Sequence, residues 1–284
     1  ATIVGIAMEG EKLTASNDLS DQDGLGTVSY QWHRGDVAIV GATEAIYTLI
    51  QADVGSMITV TASYTDGEGT FESVTSAATA VVVNVNDAPT GAVTISGIAT
   101  EDEILTASND LADEDGLGAI SYQWNRGGVA IDGVISSTYT LEQVDVGSVV
   151  TVTASYIDGE GIAESVTSGA TAQIMNVNDV PEGTVMVIGP AREGQTLTAF
   201  YFGLSDEDGL GPIRYQWNRD GVEIPSATDT TYMLTQADVS STITATMSYI
   251  DGHETVESLT SGATAVVENI NDAPTGAVLI AGVA

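Results

Sequence analysis

The chain has 284 residues, with 40 Asp and Glu against 6 Lys and Arg, so its formal net charge at pH 7 is −34. This charge excludes nucleic acid as a natural partner, because phosphate binding needs a basic surface, and it disfavours docking on an anionic membrane. The lack of cysteine excludes disulfides and cysteine metal sites, and no apolar run approaches the roughly 18 residues that a membrane helix needs.

The sequence repeats itself with a period of about 92 residues, and the three tryptophans, Trp32, Trp124 and Trp217, keep that step. A unit of this size can bury its own core, so the repeat predicts separate domains rather than the small units of a solenoid. The predicted domains are residues 1–87, 88–180 and 181–273. We expect residues 274–284 to be the first strand of a further repeat.

Short stretches rich in Val, Ile, Thr and Tyr alternate with Gly, Asp and Asn turns, which is typical of an all-β sandwich. Almost no helix is expected, because no stretch keeps a 3.6-residue period. Trp32 should lie in the core, and Ile58, Val60 and Ala62 should share an inward face. The predicted strands of the first repeat are Thr2–Ala7, Lys12–Asn17, Val28–His33, Ile46–Leu49, Ile58–Tyr64 and Phe71–Val85.

The acidic residues lie mostly in loops and linkers, and the loops of such a sandwich gather at its two poles. Acids far apart in sequence should therefore meet at each junction between repeats. Candidate ligands at the first junction are Glu9, Asp53, Asn84, Asn86 and Asp87, with Asp113, Asp115, Asp158 and Glu160 from the next repeat. At the second they are Glu101, Asp145, Asn176, Asn178 and Asp179, with Asp206, Asp208 and Asp251. The outermost poles should hold the incomplete sets Asp21, Asp23 and Asp66, and Glu193, Asp238 and Asp272.

These hard oxygen donors predict Ca²⁺, which takes 6–8 oxygens in tolerant geometry. Mg²⁺ requires a smaller octahedron and keeps its waters, and Zn²⁺ prefers His or Cys, whereas the chain has two His and no Cys. In the unit Asp113-Glu114-Asp115-Gly116, the glycine permits the bend that places two carboxylates on one side of a turn. His253 replaces an acid at the second junction, so we expect fewer ions there.

Other interpretations of the same residues stay open. Asp53, Asp145 and Asp238 could cap a turn through bonds to the backbone, and Asn84 and Asn86 could simply form turns. The acids as a whole could be a solvated surface. Asp18 and Asp110 are expected to be solvated, and Glu72, Glu164 and Glu257 to be exposed strand charges. Arg34-Gly35-Asp36 spells an integrin tripeptide, but the other repeats vary there as a turn would. Carboxylate pairs could hydrolyse glycosides, yet these lie on polar loops without an aromatic platform, and we expect no enzyme activity.

The segments Tyr30-Gln31-Trp32 and Ala52-Asp53-Val54-Gly55, followed by the strand from Ile58, resemble an immunoglobulin-like domain without its disulfide. The whole repeat, with the linker Asn84-Val85-Asn86-Asp87-Ala88-Pro89, is similar to the tandem repeats of very large, calcium-dependent, type I secreted bacterial surface adhesins of the RTX group. The linker also resembles that of cadherins. It departs from the cadherin pattern at Asn84 and Ala88, which removes anionic oxygens.

The resemblance implies tandem immunoglobulin-like Greek-key sandwiches on a bacterial cell surface, outside the cell. It implies a Ca²⁺-stiffened extender that projects a distal ligand-binding domain, whose ligand the sequence does not specify. The expected partners are the neighbouring repeats of the same chain, which is expected to be a monomer with no membrane insertion in this segment. Two alternatives remain: a module that itself recognises a glycan or protein, which an exposed aromatic cluster would mark, and a homophilic cadherin-like strand.

Overall fold

The computed structural model describes residues 1–276 and 281–282, and this part of the chain is nearly all β. Within it the helical elements are three short 3₁₀ turns, Gln51–Asp53, Gln143–Asp145 and Gln236–Asp238. No helix among the described residues is long and apolar enough to cross a bilayer. The all-β prediction is confirmed, whereas the strand predicted around residues 278–280 lies outside the described residues.

Seven strands recur in each repeat of the described chain. In the first repeat they are β1 (Thr2–Val4), β2 (Lys12–Ser16), β3 (Ser29–Arg34), β4 (Val37–Ala38), β5 (Ile46–Thr48), β6 (Ile58–Thr65) and β7 (Phe71–Thr75). In the second they are β8 (Val93–Ser96), β9 (Ile104–Asn109), β10 (Ser121–Arg126), β11 (Val129–Ala130), β12 (Thr138–Thr140), β13 (Val150–Ile157) and β14 (Ala163–Thr167). In the third they are β15 (Glu182–Ile188), β16 (Thr196–Ser205), β17 (Arg214–Arg219), β18 (Val222–Glu223), β19 (Thr231–Met233), β20 (Ile243–Ile250) and β21 (Val256–Thr260).

The strands form six antiparallel sheets in the described residues, one of three strands and one of four in every repeat. The three-stranded sheets run β1-β2-β5, β8-β9-β12 and β15-β16-β19, and the four-stranded sheets run β4-β3-β6-β7, β11-β10-β13-β14 and β18-β17-β20-β21. The fold is a series of tandem immunoglobulin-like β-sandwiches.

The backbone divides into two compact units that do not follow the sequence repeats. The first unit contains residues 1–98, 104–139 and 149–172, and the second contains residues 99–103, 140–148 and 173–284. The domain boundaries after residues 87 and 180 therefore stay predictions. All the side chains described below for the first junction belong to the first unit, and all those for the second junction belong to the second unit.

The core of the first repeat is built around Trp32, which is fully buried as predicted. Its ring nitrogen donates to the Glu44 carbonyl at 2.8 Å, and its ring stacks on Tyr47 with the ring centroids 5.7 Å apart. Ile58 and Val60 close the core from β6. Aromatic and aliphatic burial supplies the main favourable term in folding, and the buried side chains of this core are all apolar.

The first strand is shorter than the sequence pattern predicts, and the reason is local. Gly5 has a φ of +149°, and a Cβ there would lie 2.5 Å from the Lys12 carbonyl oxygen, so the chain leaves the sheet. The last strand is also shorter, since the regular β7 is followed by an irregular segment. That segment rejoins the first part of the repeat through an isolated parallel bridge between Met8 and Val83, which brings the turn after β1 beside the outgoing linker.

The loops of the first repeat gather at two poles as predicted. The Gly67 amide donates to the Asp23 carbonyl at 3.0 Å and joins the loop after β2 to the loop after β6. At the opposite pole the Gly10 amide donates to the Leu49 carbonyl at 3.0 Å. Each repeat can therefore offer loop oxygens to a neighbour at either pole.

Candidate metal sites at the two junctions

Three carboxylates from distant loops meet at the first junction. Glu9 follows the bridge at Met8, Asp87 lies in the linker, and Asp115 lies in the loop after β9. Oxygens of all three lie within 4.8 Å of one another, and we call them the first acidic cluster. The Asp87 amide donates to Asp115 at 2.7 Å, so the backbone of the linker fixes this approach.

Electrostatics in the first acidic cluster oppose its own ionisation. Burial, together with the negative charges of Asp87 and Asp115, raises the pKa of Glu9 above its ordinary value, although a bond from the Val85 amide works in the other direction. Like charges at this spacing repel by about 3–4 kcal/mol per pair at an effective dielectric constant of 20. A bound cation would reverse the sign of that interaction.

Three further oxygens at the first junction are buried and have no hydrogen-bond partner: Gln51 Oε1, Asn84 Oδ1 and Asp158 Oδ2. Asp158 is only 6% exposed, and its other oxygen accepts from the amides of Glu160 and Ile162. A buried acceptor without a donor costs free energy comparable to a lost hydrogen bond. A bound cation would satisfy all three acceptors at the junction that holds the first acidic cluster.

The second junction repeats this arrangement with Glu101, Asp179 and Asp208, the second acidic cluster, whose oxygens also lie within 4.8 Å of one another. The Asp179 amide donates to Asp208 at 2.8 Å. Burial raises the pKa of Glu101, and the charges of Asp179 and Asp208 raise it further. The pKa of Asp179 is raised by burial and then by Asp208.

The same three kinds of oxygen are orphaned at the second junction: Gln143 Oε1, Asn176 Oδ1 and Asp251 Oδ2. Asp251 is 7% exposed, and its other oxygen accepts from two backbone amides. Among the described residues, the remaining buried side-chain atom without a partner is a ring nitrogen of His33. Every orphaned oxygen of the described chain therefore belongs to one of the two junctions.

At each site one glycine holds two loops together through close backbone contact. The Gly159 amide donates to the Asp115 carbonyl at 3.0 Å, and the Gly252 amide donates to the Asp208 carbonyl at 2.9 Å. A Cβ at Gly159 would lie 2.5 Å from that carbonyl oxygen, so a side chain would separate the loops. The Asp-Gly dipeptides of the sequence are thus needed for space as well as for turning.

Asp113 and Asp206 orient the clusters and do not join them. One oxygen of Asp113 accepts from the Asp115 amide at 2.9 Å, and the other accepts from the Tyr156 hydroxyl. Asp206 makes the same pair of bonds with Asp208 and with a tyrosine of β20. Burial and the bond to Asp113 raise the pKa of Tyr156 far above its ordinary value.

The second asparagine of each linker reaches a glutamate of the following repeat. Asn86 donates to Glu164 at 2.8 Å, and Asn178 donates to Glu257 at 2.9 Å. Glu257 is 9% exposed, so its prediction as an exposed strand charge was wrong. These bonds direct the amide nitrogens of Asn86 and Asn178 to the glutamates.

Asp53 and Asp238 lie outside the clusters, because the protein's own donors already occupy their carboxylates. Asp53 is fully buried and forms an ion pair with Arg34 at 2.8 Å, and it also accepts from the Tyr47 hydroxyl and the Ile50 amide. Asp238 is bound in the same way by Arg219. Asp145, also buried, accepts from the Glu142 amide at 2.8 Å. The capping interpretation accounts for these contacts, and we do not assign these residues as ligands.

The loop after β13 and the loop after β20 differ at one position that the sequence singled out. Glu160 is exposed and stands apart from the first acidic cluster. His253 occupies the equivalent position, and its Nε2 lies 3.9 Å from Asp208 and 3.3 Å from the Gln143 amide nitrogen. The ring therefore sits at the rim of the second acidic cluster.

At the outer poles the described residues include one further group of three carboxylates. Asp21 and Asp66 approach Glu72 within 4.8 Å, while Asp23 is exposed. At the other end, Glu193 accepts from the Ile270 amide at 3.1 Å, and Asp272 is exposed. That the ligand sets at the outer poles are incomplete stays a prediction.

The glutamines are the residues that the sequence reasoning missed. In every repeat a glutamine stands two residues before the aspartate that caps the turn: Gln51, Gln143 and Gln236. The internal repeat alone could have drawn attention to them. Gln51 donates to Asp115 at 3.0 Å and Gln143 donates to Asp208 at 3.1 Å. In each case the amide nitrogen is bound to the cluster and the carbonyl oxygen is left over.

No protein-family model and no curated protein matches the chain. Solved structures with some likeness include a tetra-tandem repeat from the extending region of a large adhesion protein, at 17% identity, covering 93% of this chain and 74% of that one, with a TM-score of 0.31. A Ca²⁺-stabilised adhesin with which an Antarctic bacterium binds ice gives 12% identity, 93% and 70% coverage and a TM-score of 0.32. Four ectodomain domains of ICAM-5 give 12% identity, 91% and 73% coverage and a TM-score of 0.40. Likeness at this level carries no argument about function.

Proposed function

We propose that the chain is an extender segment of a bacterial surface adhesin, stiffened by Ca²⁺ at its junctions, which holds a distal ligand-binding domain away from the cell. One observation carries the calcium part of the proposal. A glutamine, an asparagine and an aspartate leave buried oxygens without partners beside a three-carboxylate cluster, and the set recurs 92–93 residues later.

The donor set suits Ca²⁺ in number, type and charge. Each junction offers six side chains with hard oxygens, Glu9, Gln51, Asn84, Asp87, Asp115 and Asp158 at the first, and Glu101, Gln143, Asn176, Asp179, Asp208 and Asp251 at the second. Ca²⁺ takes 6–8 such oxygens. The four carboxylates of each set carry four negative charges, which two Ca²⁺ ions would neutralise.

The mechanical consequence follows from where the ligands lie in the sequence. Glu9 and Gln51 belong to the first repeat, Asp87 to the linker, and Asp115 and Asp158 to the second repeat. A cation bound by all of them would tie the two sandwiches and the linker into one body. Without the cation, the repelling carboxylates would favour separation of the same groups. The apolar cores, built on the tryptophans, would persist in both conditions.

Calorimetry of Ca²⁺ binding to the whole chain tests the proposal at each junction separately. Asp158→Asn should weaken binding at the first junction about tenfold or more and leave the second unaffected, and Asp251→Asn should do the reverse. Asp18→Asn, at an exposed loop position, is the matched control and should change nothing. Equal loss of affinity in the control would mean that the ions respond only to the total negative charge.

Stiffening itself is measured by small-angle scattering with Ca²⁺ and with excess EGTA, with far-ultraviolet circular dichroism as the check on folding. We expect the scattering profile to change on chelation while the β-sheet signal stays. An unchanged profile in a chain that does bind Ca²⁺ would reject the stiffening role and leave the metal sites standing. The surface location is tested by fractionating cells that carry the parent protein.

A further inference from the structure

The three-stranded sheet of the third repeat has an outward face unlike those of the other repeats. Met186 pairs with Phe200, and Thr184 pairs with Phe202. Paired residues of antiparallel strands lie on the same side of a sheet. Side chains alternate between the two faces of a strand, and in β16 Leu197 and Ala199 are buried. Phe200 and Phe202 therefore lie on the opposite, outer face.

Internal comparison shows what has changed at this face. Ser16 and Ser108 occupy the positions equivalent to Phe200, and Thr48 and Thr140 those equivalent to Met233. The outward residues at four equivalent positions are Thr2, Val4, Ser16 and Thr48 in the first repeat, Thr94, Ser96, Ser108 and Thr140 in the second, and Met186, Ile188, Phe200 and Met233 in the third. At these positions the third repeat therefore carries large apolar side chains where the others carry hydroxyl-bearing ones, with Val4 of the first repeat as the exception.

Of these side chains, Phe200 is half-buried and the others are open to solvent. Phe202 is 75% exposed and Met233 is 60% exposed, and Met186 and Ile188 are exposed as well. The largest apolar patch on a soluble domain covers a few hundred Å² and is often a binding surface. We call Met186, Ile188, Phe200, Phe202 and Met233 the aromatic face.

A one-residue insertion helps to build the aromatic face. The third repeat reads Phe200-Tyr201-Phe202-Gly203 where the others read Ser-Asn-Asp. Gly203, with a φ of +64°, lies within the ten-residue strand β16, and the pairing with β15 is irregular between Glu182 and Thr184. Irregularities of this kind re-aim side chains next to binding sites. Here the longer strand carries Phe202 onto the outer face.

Charge and size decide between the possible occupants. No side chain of the aromatic face is ionisable, whereas the chain as a whole carries −34, so two copies would repel each other around the contact. The three strands have seven, ten and three residues, and with strands spaced ~4.8 Å apart and rising ~3.3 Å per residue they give a face of roughly 300 Å². A stable protein interface needs about 800 Å² from each partner. A flat, uncharged and smaller ligand fits better.

We propose that the third repeat binds a neutral polysaccharide on its aromatic face, an activity that goes beyond the extender role and does not depend on it. The rings of Phe200 and Phe202 present flat apolar surfaces to the C–H faces of sugar rings. Thr184 and Thr198 lie on the same face and supply hydroxyl groups that can donate and accept hydrogen bonds. A negatively charged polysaccharide would be excluded by the charge of the chain.

Methionine methyl groups report on the proposal directly. In the full chain with Ca²⁺, ¹³C-methyl methionine spectra are followed while cellohexaose or dextran is added. We expect the signals of Met186 and Met233 to shift, and those of the buried Met247 and of Met57 in the first repeat to stay. Alginate, a polyanion, should give no shift. No shift with either neutral probe would overturn the proposal.

Variants separate glycan binding from self-association. Phe200→Ser with Phe202→Asp restores residue types that the other repeats carry, and it should weaken binding about tenfold or more. Phe71→Ala removes the one phenylalanine outside β16 and is the matched control, for which affinity should not change. An unchanged Met247 signal verifies folding, and Ile188→Ser is the second variant if the double one unfolds. Concentration-dependent dimers in sedimentation that the double variant abolishes would assign the face to a second copy of the chain and overturn the proposal.

Discussion

Replacing Asp238 with alanine should lower the free energy of unfolding of the third repeat and leave Ca²⁺ binding unchanged. The Asp238 carboxylate is fully buried and accepts from Arg219 at 2.6 Å, from the Tyr232 hydroxyl at 2.9 Å, and from the amide and hydroxyl of Thr235 at 2.7 and 2.8 Å. Neither carboxylate oxygen of Asp238 is left free to bind a metal ion. The residue therefore holds the turn before β20 and the strand β17 together.

The size of the effect follows from what would be left behind. Removing one member of a buried ion pair costs about 3–5 kcal/mol, because the other member loses its partner. The Arg219 side chain is 32% exposed, so water can reach part of its guanidinium group. We therefore expect the loss to lie near the lower figure, about 3 kcal/mol, with the Thr235 amide contributing part of it.

The assay uses 5-fluorotryptophan, since the chain has a single tryptophan in each repeat. Urea unfolding followed by ¹⁹F resonance assigns the loss to Trp217, while Trp32 and Trp124 serve as internal controls. The measurement is made without metal, and the Ca²⁺ stoichiometry is then determined by calorimetry. An unchanged midpoint for Trp217 together with the loss of one bound ion would refute the structural role and restore Asp238 as a ligand.

The pH dependence has a definite sign. Burial alone would raise the pKa of Asp238, but the bonds from Thr235 and Arg219 outweigh it and hold the pKa below its ordinary value. A group whose pKa is lower in the folded state stabilises that state above its unfolded pKa of about 4 and loses the contribution as pH falls further. The alanine variant should therefore lose less stability than the parent on acidification below about pH 4.

Three further outcomes can be checked. Trp124→Ala should cost about 3–5 kcal/mol by leaving a core cavity, and iodide should fail to quench any of the three tryptophans in the folded chain. Gly159→Ala should weaken Ca²⁺ binding at the first junction alone, because its Cβ would press on the Asp115 carbonyl; equal weakening at both junctions in calorimetry would contradict this. In metal-free protein the raised pKa values of Glu101 and Asp179 mean that stability should decline as pH rises above about 4, and Ca²⁺ should remove the decline in thermal melts.

The sequence was sufficient for the sandwich and for the convergence of its acids. The alternation of apolar residues around Trp32 and Ile58 predicted their burial, since a period of two places one face of a strand inward. Because the loops of a sandwich gather at two poles, the sequence also predicted that Glu9, Asp87 and Asp115 lie close together. These features depend on local pattern and on topology, which the chain order specifies.

The finer assignment of ligands could not be made from pattern alone. Asp53 and Asp115 are both turn aspartates in acidic loops, yet one is bound by Arg34 and the other faces a cluster. Nothing local distinguishes them, because the partner of Asp53 comes from a strand 19 residues away. Gln51 was missed for the opposite reason. Its neutral amide gives no charge signal, and its role appears only once its nitrogen is seen to bind Asp115.

Comparison of the repeats also distinguishes residues that both junctions share from residues that occur in one repeat alone. The glutamine, the first linker asparagine and the glycine that contacts the cluster occur in equivalent places at both junctions, where geometry leaves little freedom. The outer face of the three-stranded sheet has no such constraint, because its side chains reach neither core nor junction. The same three-stranded sheet forms with Ser16 and Ser108 at this position, so the sheet does not require Phe200 there. The outer face of the third repeat is therefore our candidate for a function that its neighbours do not share.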